Sequence, residues 1–498
     1  MLEEKYPQFW ENAKEIAKNI KEKIEEGITA RIISHFDADG ISSAGIICAA
    51  LYRLQASFHL SIVKQLTPEI LKNLKEEKYT FFIFTDIGSG QLNLIKQYLN
   101  QKEKIIVIDH HPPIKTEDVS LVHFNPHLHG IDGAREISGS TTTYLVARAL
   151  DKRNKNLSNI AIVGALGDRQ DKGNQYSLTG VNKEVVDEAV KLGILEAKKD
   201  IRLFGRETRP IHIALEYTTD PFIPELSGCR EKCKYFIENE AKISLKDENG
   251  KWRTLSDLSK EEKQQLASKL IDYMIIKGLS AEEAQSIIGM VYTFLNEEKG
   301  TPLRDGREFA TLLNACGRMG YPEIGVAICM GDREDALKEA AKILSKYREK
   351  LSNSISWITQ NLEQKLKEKK YVRYFHGEDI IDDTIIGTVT SLLLSSKRIS
   401  DDKVVVGFAY SNEYPSMVKL SARTTQTLVN KGVDLGKALR LAVKNLGIEP
   451  IAGGHNIAAG GQVPINMEEQ FIEQLDNILK EMLEPEKLEN TKQNNTNG

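Results

Sequence analysis

The chain has 498 residues, 41% hydrophobic and 28% charged, with a formal net charge of −4. This is the composition of a globular protein of about two to four domains; the acidic balance excludes a surface coated with positive charge for duplex DNA. No apolar stretch reaches the roughly 18 residues of a membrane span, so no membrane partner is expected.

Five cysteines (Cys48, Cys229, Cys233, Cys316 and Cys329) are too sparse for a disulfide framework. With a polar N-terminus lacking a signal-peptide core, they predict a reduced, cytoplasmic protein. Cys229 and Cys233 hint at zinc, but no second Cys/His pair stands at a spacing that would complete the site.

Residues 8–26 predict an amphipathic helix closed by Gly27. From 30 to 170, β-type apolar runs alternate with helical stretches such as 42–54 and 91–100. This βαβ rhythm predicts an α/β domain with a parallel, doubly wound sheet. Arg31-Ile32-Ile33-Ser34 leads into His35-Phe36-Asp37-Ala38-Asp39-Gly40. Phe81-Phe82-Ile83-Phe84-Thr85 ends on Asp86, and Ile105-Ile106-Val107-Ile108 on Asp109-His110-His111. A fourth run, Ile162-Val163-Gly164-Ala165-Leu166-Gly167, ends on Asp168. In an open parallel sheet the C-terminal strand ends share one crevice, where ligands bind.

Carboxylates and imidazoles converging there imply divalent metal ions and hydrolysis of a phosphate ester. His35, Asp37 and Asp39 alternate on what reads as an extended segment, which would put all three on one side. With Asp86, His110 and Asp168 they make six candidate ligands, enough for two ions. Asp86 is the expected bridge, at an ion separation of roughly 3.5–4 Å. The donor types suit Mn²⁺, with Mg²⁺ as the other candidate. Asp109 could orient an imidazole from behind the ligands. His111 could meet a phosphate oxygen or protonate the leaving group. Ser138 and Ser140 precede the helical stretch 144–150; a serine there would cap it, and the free backbone amides could face a phosphate.

From about 200 to 335 the rhythm changes. Residues 217–224 read as extended and loop-like, and 255–295 as mostly helical. A polar stretch without Gly or Pro, 334–369, predicts a long connecting helix, with two helices broken near 352–356 as the other reading. The β rhythm returns at 371–375, 404–409 and 416–422, with helices at 385–394 and 435–446, giving a second, smaller α/β domain. There the paired glycines of Gly453-Gly454-His455 let backbone amides approach an anion. Arg423, ending a strand, could hold a phosphate bidentately. Residues from about 485 to 498 are polar and aperiodic and predict a disordered tail.

These residues resemble the DHH–DHHA1 phosphoesterase superfamily. Asp109-His110-His111 matches its name-giving motif. His35 to Gly40, Asp86 and Asp168 stand where its other metal motifs stand. Gly453-Gly454-His455, with Ala458, Gly460 and Gly461, looks like the DHHA1 signature. Within the superfamily the chain is most similar to archaeal RecJ-like single-strand-specific exonucleases, including the GINS-associated nuclease group; the stretches 217–224 and 304–318 add support. The resemblance implies a DHH catalytic domain over 1–200, a mainly helical insertion over 201–335, a connecting helix over 336–370 and a DHHA1 substrate-binding domain over 371–484. The implied activity is metal-dependent hydrolysis of single-stranded DNA or RNA from an end, releasing mononucleotides, in DNA replication or repair. GINS and the replicative helicase are the implied partners. Bacterial RecJ carries an OB domain that has no counterpart here, so the grip on single strands is expected to differ, with the 200–335 insertion contributing. Two other functions remain open at this point: an oligoribonuclease or cyclic-dinucleotide phosphodiesterase of the same superfamily, and a replisome scaffold that binds GINS.

Overall fold

A computed structural model describes residues 2–99, 104–114, 121–396, 398–448 and 452–484. The expected disordered tail lies outside the described residues. The chain divides into two units, 1–344 and 345–498.

In the first unit, β1 (Ala30–His35), β2 (Phe58–Val63), β3 (Phe81–Thr85), β4 (Lys104–Ile108) and β5 (Val122–Phe124) form one parallel sheet in the order β2-β1-β3-β4-β5. Ile32 pairs with Leu60 on one side and Ile83 on the other. Strand β3 is buried along its whole length, as expected of a strand covered on both faces. Ile33, Phe82, Phe84, Ile105 and Val107 cluster with Leu71 and Leu74 of the helix Pro68–Glu76 and with Leu92 and Ile95 of the helix Leu92–Tyr98. The alternate residues point the other way, and the helices Ala38–Arg53 and Gly139–Leu150 lie against the sheet. The strand order reverses between β1 and β3, which is where such a sheet opens a crevice for a ligand.

The fourth apolar run is not a strand. Residues Ser158–Gly167 form a helix buried on nearly every side, against the helices Ala38–Arg53, Gly139–Leu150 and Gly306–Arg318. A helix wrapped by other helices shows no apolar stripe, so its sequence reads like a buried strand. At the N-terminus, the helix Pro7–Glu25 buries Phe9, Ala13, Ile16 and Ile20, with Phe9 stacked on Phe124 at 4.5 Å.

The middle of the chain hangs from an antiparallel pair, β6 (Leu195–Ile201) and β7 (Ile288–Phe294). Between them the helices Ile211–Glu216, Arg230–Tyr235, Lys260–Ile276 and Ala281–Gln285 contribute to a core that includes Leu215, Cys233, Leu266, Leu270 and Ala284. The expectation of helix over 255–295 therefore fails at β7. Its β-branched and aromatic residues alternate between buried and half-buried, a strand signal overridden in the reading by the helical stretch before it. The long helix runs Asp335–Gln360 without a break near 352–356. It stops short of 369: Leu362–Lys365 is a separate short helix, followed by β8 (Lys367–Glu368).

The second unit is built on β8, β9 (Val372–His376), β10 (Val404–Tyr410), β11 (Met417–Arg423), β12 (Ala452–Gly454) and β13 (Ala458–Pro464), in the order β12-β13-β11-β10-β9-β8. Strands β9 and β10 run parallel and the other neighbouring pairs antiparallel. Val406, Phe408 and Leu420 pack with Leu439 of the helix Leu435–Asn445 and with Phe471 and Leu475 of the helix Glu468–Leu483. No helix among the described residues is long and apolar enough to cross a membrane.

Candidate metal centre

Strand β1 ends on His35, and the chain turns at once into a helix. Asp37 caps that helix, its Oδ1 accepting from the Gly40 amide at 3.0 Å. Glycine is needed at position 40 because a Cβ there would run into the His35 carbonyl. His35, Asp37 and Asp39 are thus not three alternate residues of one extended segment: Asp39 sits in the first helical turn. The Asx cap wins over strand continuation because it satisfies an otherwise orphaned amide.

The consequence is a division of the candidate ligands. His35 Nδ1 lies 3.2 Å from Asp37 Oδ2 and 3.8 Å from Asp86 Oδ2. His110 Nε2 lies 3.6 Å from Asp39 Oδ2, 4.0 Å from Asp168 Oδ2 and 3.3 Å from Asp86 Oδ1. Two donor sets, His35/Asp37 and Asp39/His110/Asp168, meet at Asp86, each facing a different oxygen of its carboxylate. Two ligands about 2.1 Å from a shared ion stand about 3–4 Å apart, the spacing found within each set.

Asp86 follows β3 with a left-handed backbone, φ +56°. Aspartate tolerates this better than most residues, but it costs strain that persists only where the surroundings enforce it. The carboxylate is buried, and Oδ1 makes no hydrogen bond. A side chain at Gly139 would fill the space it occupies. A buried carboxylate oxygen without a donor, among carboxylates and imidazoles and no thiolate, fits a hard divalent cation. Among the described residues, every cluster able to hold a metal draws on these loops and none includes a cysteine.

Surrounding hydrogen bonds aim the candidate ligands. His110 Nδ1 is 2.7 Å from the Gly133 carbonyl, which turns Nε2 towards the carboxylates. Asp39 accepts from the amides of Gly139 and Ser140 at 2.7 and 2.9 Å. Those amides at the N-terminus of the helix Gly139–Leu150 were expected to face a phosphate; the structure gives them to Asp39. Ser138 caps that helix, as expected. Ser138 and Ser140 are both fully buried, and the Ser140 hydroxyl donates to the Ala161 carbonyl. Ser140 thus supports Asp39 through its amide. Asp168 is the C-cap of its helix and accepts from Gln170 Nε2 at 2.8 Å. Gln170 Oε1 in turn accepts from Asn182, whose own Oδ1 accepts from Thr141 and from the Ser138 amide. Asp109 clusters with Asp86, His110 and His111 and is engaged within the protein: Oδ2 takes the Ser89 amide, and Oδ1 takes the His110 amide and His111 Nδ1, each at 2.8 Å. It orients His111, whose side chain is 41% exposed, and not His110. Gln170, Asn182, Gly133 and Gly139 went unread in the sequence; only Gln170, two residues after a ligand, carried a positional hint.

Burial and crowded like charges set the electrostatics of the cluster. Burial and the neighbouring Asp39 push the Asp86 carboxyl well above its usual range. Burial likewise raises Asp39, with Asp168 adding to it. Burial alone would lower His110, but its contact with Asp86 and the charges of Asp168 and Asp39 hold it well above normal. The half-buried Asp37 and the buried Asp109 are held below their usual range, against the effect of desolvation, by His35 and by His111 respectively.

Three family descriptions match the chain: the DHH family N-terminal domain over residues 29–167, the DHH-CID domain over 203–288 and the DHHA1 domain over 368–481. The uncharacterized Methanocaldococcus jannaschii protein MJ0831 is 33% identical over 475 residues, covering 94% of this chain and 97% of its own. The chain belongs to the DHH–DHHA1 superfamily. The single-stranded-DNA-specific exonuclease RecJ of Thermus thermophilus is 28% identical over 145 residues, 28% of this chain and 22% of RecJ. The structure of that RecJ with Mn²⁺ superposes with a TM-score of 0.57 at 18% identity, covering 94% of this chain but only 54% of RecJ. CDC45 from Entamoeba histolytica superposes with a TM-score of 0.63 at 11% identity, covering 95% of this chain and 99% of CDC45. At these identities the superpositions speak to fold alone.

In the second unit, Arg423 ends β11 with Nε 2.8 Å from Ser391 Oγ and Nη1 2.8 Å from the Ala422 carbonyl. Gly453 and Gly454 form the end of β12, and the His455 amide donates to the Ala458 carbonyl at 2.8 Å, closing a tight turn into β13. The two glycines differ. Gly454 has φ +134°, and a Cβ there would sit 2.6 Å from the Ala458 carbonyl oxygen; Gly453 faces open space.

Proposed function

We propose that this protein is a two-metal phosphodiesterase that degrades single-stranded nucleic acid from an end to mononucleotides. The observation that carries this reading is the pair of donor sets joined through opposite oxygens of Asp86. His35, Asp37 and Asp86 would hold one ion, and Asp39, His110, Asp168 and Asp86 the other. Bound there, Mn²⁺ or Mg²⁺ would supply Lewis acidity and a water that deprotonates near neutral pH. The neighbouring residues have assignable work. The Gly139 and Ser140 amides fix Asp39, Gly133 fixes the tautomer of His110, and Gln170 fixes Asp168. Asp109 holds His111 by Nδ1, so Nε2 is the ring atom that meets a phosphate oxygen or gives a proton to the leaving oxygen. Arg423, Gly453 and His455 form the substrate-gripping part of the second unit.

The RecJ likeness supports the choice of a nucleic-acid polymer as substrate. The test is a product analysis. End-labelled single-stranded DNA and RNA, and matched blunt duplexes, are incubated with Mn²⁺ and the products sized over time. Mononucleotides from the first time points, from single strands only, are expected. Equal initial rates on duplex would overturn the exonuclease reading, and cleavage confined to dinucleotides would replace it with an oligoribonuclease. GINS and a replicative helicase belong to the same proposal as partners, tested by mixing purified components on a sizing column.

A further inference from the structure

A second cluster of chemistry-bearing groups lies in the same unit as the metal loops and takes no part in holding the ligands. It gathers where the insertion joins the parallel-sheet domain. Arg202, just after β6, is stacked on Tyr176 with its guanidinium carbon 3.3 Å from the ring centroid. Its side chain is 3% exposed; Nη1 donates to the Ser286 carbonyl at 2.9 Å, while the buried Nε meets no hydrogen-bond acceptor. Arg307, near the start of the helix Gly306–Arg318, pairs with the buried Asp171 but leaves 38% of its side chain exposed.

The chain is shaped to make this cluster. Gln175 and Tyr176 are both left-handed, with φ of 53° and 58°, which brings the Tyr176 ring under Arg202. Two consecutive non-glycine residues in that region are costly and gather where function demands them. Gly289 of β7 leaves the room: a Cβ there would lie 2.9 Å from the Gln175 carbonyl oxygen and 3.1 Å from the Tyr176 ring.

The charges do not balance. Burial pushes the Asp171 carboxyl up against the pull of both arginines, and burial together with Arg307 pulls Arg202 down. The other acid, Asp220, stands 3.6 Å from Arg202 but is 71% exposed, so water screens it. Two guanidiniums thus face one buried carboxyl, with an orphaned N–H between protein layers. Asp171 is three residues from the ligand Asp168, at most about 11 Å along the chain. An excess of fork-shaped cations around an acid so close along the chain to Asp168 suits a second phosphate of the same strand.

We propose that Arg307, backed by Arg202 and Tyr176, is a subsite for a backbone phosphate of the nucleic-acid substrate next to the scissile one. This rests on the phosphodiesterase reading above. One Asp171 oxygen occupies part of a five-donor fork, and the exposed remainder of Arg307 receives the phosphate. Arg202 is a positioning residue: it holds Tyr176 and, by repulsion, favours an anion beside Arg307.

The test compares the full chain with R307Q, R307K and the double variant D171N/R307Q, in Mn²⁺. The substrates are a single-stranded oligonucleotide and bis(p-nitrophenyl) phosphate, which offers only a scissile phosphate. The ratio of kcat/KM for the oligonucleotide to that for the small diester should fall about ten- to a hundredfold in R307Q, mainly through KM. The slope of log affinity against log salt should drop by about one unit. R307K should fall between. The double variant separates a binding role from a structural one, since neutralising Asp171 relieves the buried carboxyl left without a partner. A ratio that stays low in D171N/R307Q supports the subsite; a return to the wild-type ratio, or an equal fall on both substrates, overturns it. If the wild type turns over neither substrate, the phosphodiesterase reading has failed and oligonucleotide binding by fluorescence anisotropy decides the subsite alone. Weakening in R307Q that persists in the double variant upholds it, and unchanged binding overturns it.

Discussion

The loops around Asp86 and the glycine turn around Gly454 solve opposite problems with similar means. At the candidate metal centre the backbone is spent on placing side chains: two amides go to Asp39, one to Asp37, three to Asp109, and a carbonyl goes to His110. Asp37, Asp39 and Asp109 are thereby fixed before any ion arrives. In the second unit, glycines do the reverse. They strip side chains away, so that at Gly453 backbone stands open. One region pre-pays the placement of charge, and the other keeps a surface bare for something to approach. If this contrast is right, damage to the first should be read in metal and chemistry, and damage to the second in stability and substrate grip.

The harshest break is D86A. It removes the carboxylate shared by both donor sets, so turnover of oligonucleotide should fall by about a thousandfold or more, at several kcal/mol of lost transition-state stabilisation. Circular dichroism should remain native. A folded D86A protein with near-normal Mn²⁺-dependent activity would refute the two-metal assignment. D37A should behave alike. One layer out, Q170A and N182A leave every ligand in place but loosen Asp168 and the Ser138–Thr141 turn. Metal affinity measured by calorimetry should weaken about 10- to 100-fold.

That two-layer pattern marks how far a sequence can be read. The convergence of His35, Asp37, Asp86, Asp109 and His110 was legible because strand ends in a parallel sheet converge by topology. The division of His35, Asp37 and Asp39 between two donor sets was not, because it turns on whether Asp37 caps a helix, a local choice of a single hydrogen bond. Asp168 was placed beside them for a wrong reason: its run is a helix, and the two readings coincide only because both deliver the residue to the same end of the core. Gln170 and Asn182 were illegible because a buried amide network is a property of tertiary contacts 12 to 44 residues apart. The same holds for Ser138 and Ser140, whose amide and hydroxyl groups the sequence offers to any anion; that the Ser140 amide goes to Asp39 and the Ser138 amide to Asn182 is decided by the fold.

A gentler probe uses pH. Asp86, Asp39 and His110 all hold a proton more tightly in the metal-free fold than in the unfolded chain. A raised folded-state pKa contributes stability present at low pH and lost as pH rises through it. The metal-free centre therefore destabilises the fold as pH climbs, whereas bound cations need these groups deprotonated and gain. The rise in Tm caused by saturating Mn²⁺ should be larger at pH 8 than at pH 6. His123, His127, His129, His212 and His376 are lowered by burial and act with the opposite sign, but in both forms, so the difference isolates the centre. A metal-induced shift that shrinks as pH rises would contradict the electrostatic reading. In D86N the dependence should flatten.

The smallest and most discriminating effect separates two adjacent glycines. Gly454 takes φ +134° with the Ala458 carbonyl where a Cβ would go, so G454A must strain or open the β12–β13 turn. It should cost about 1–3 kcal/mol of stability, seen as a lower denaturation midpoint. Gly453 has no atom within 4 Å of its missing Cβ, so G453A should change stability by less than about 0.5 kcal/mol. If Gly453 is open because a phosphate approaches its backbone, the added methyl should still weaken oligonucleotide binding severalfold. H455A should do so too, with a shallower salt dependence, while Mn²⁺ affinity stays as in the wild type. The pair thus tests the contrast at single-atom resolution. If G453A binds oligonucleotide normally while G454A fails only by unfolding, these glycines serve the turn alone, and the grip must be sought elsewhere, beginning with Arg423.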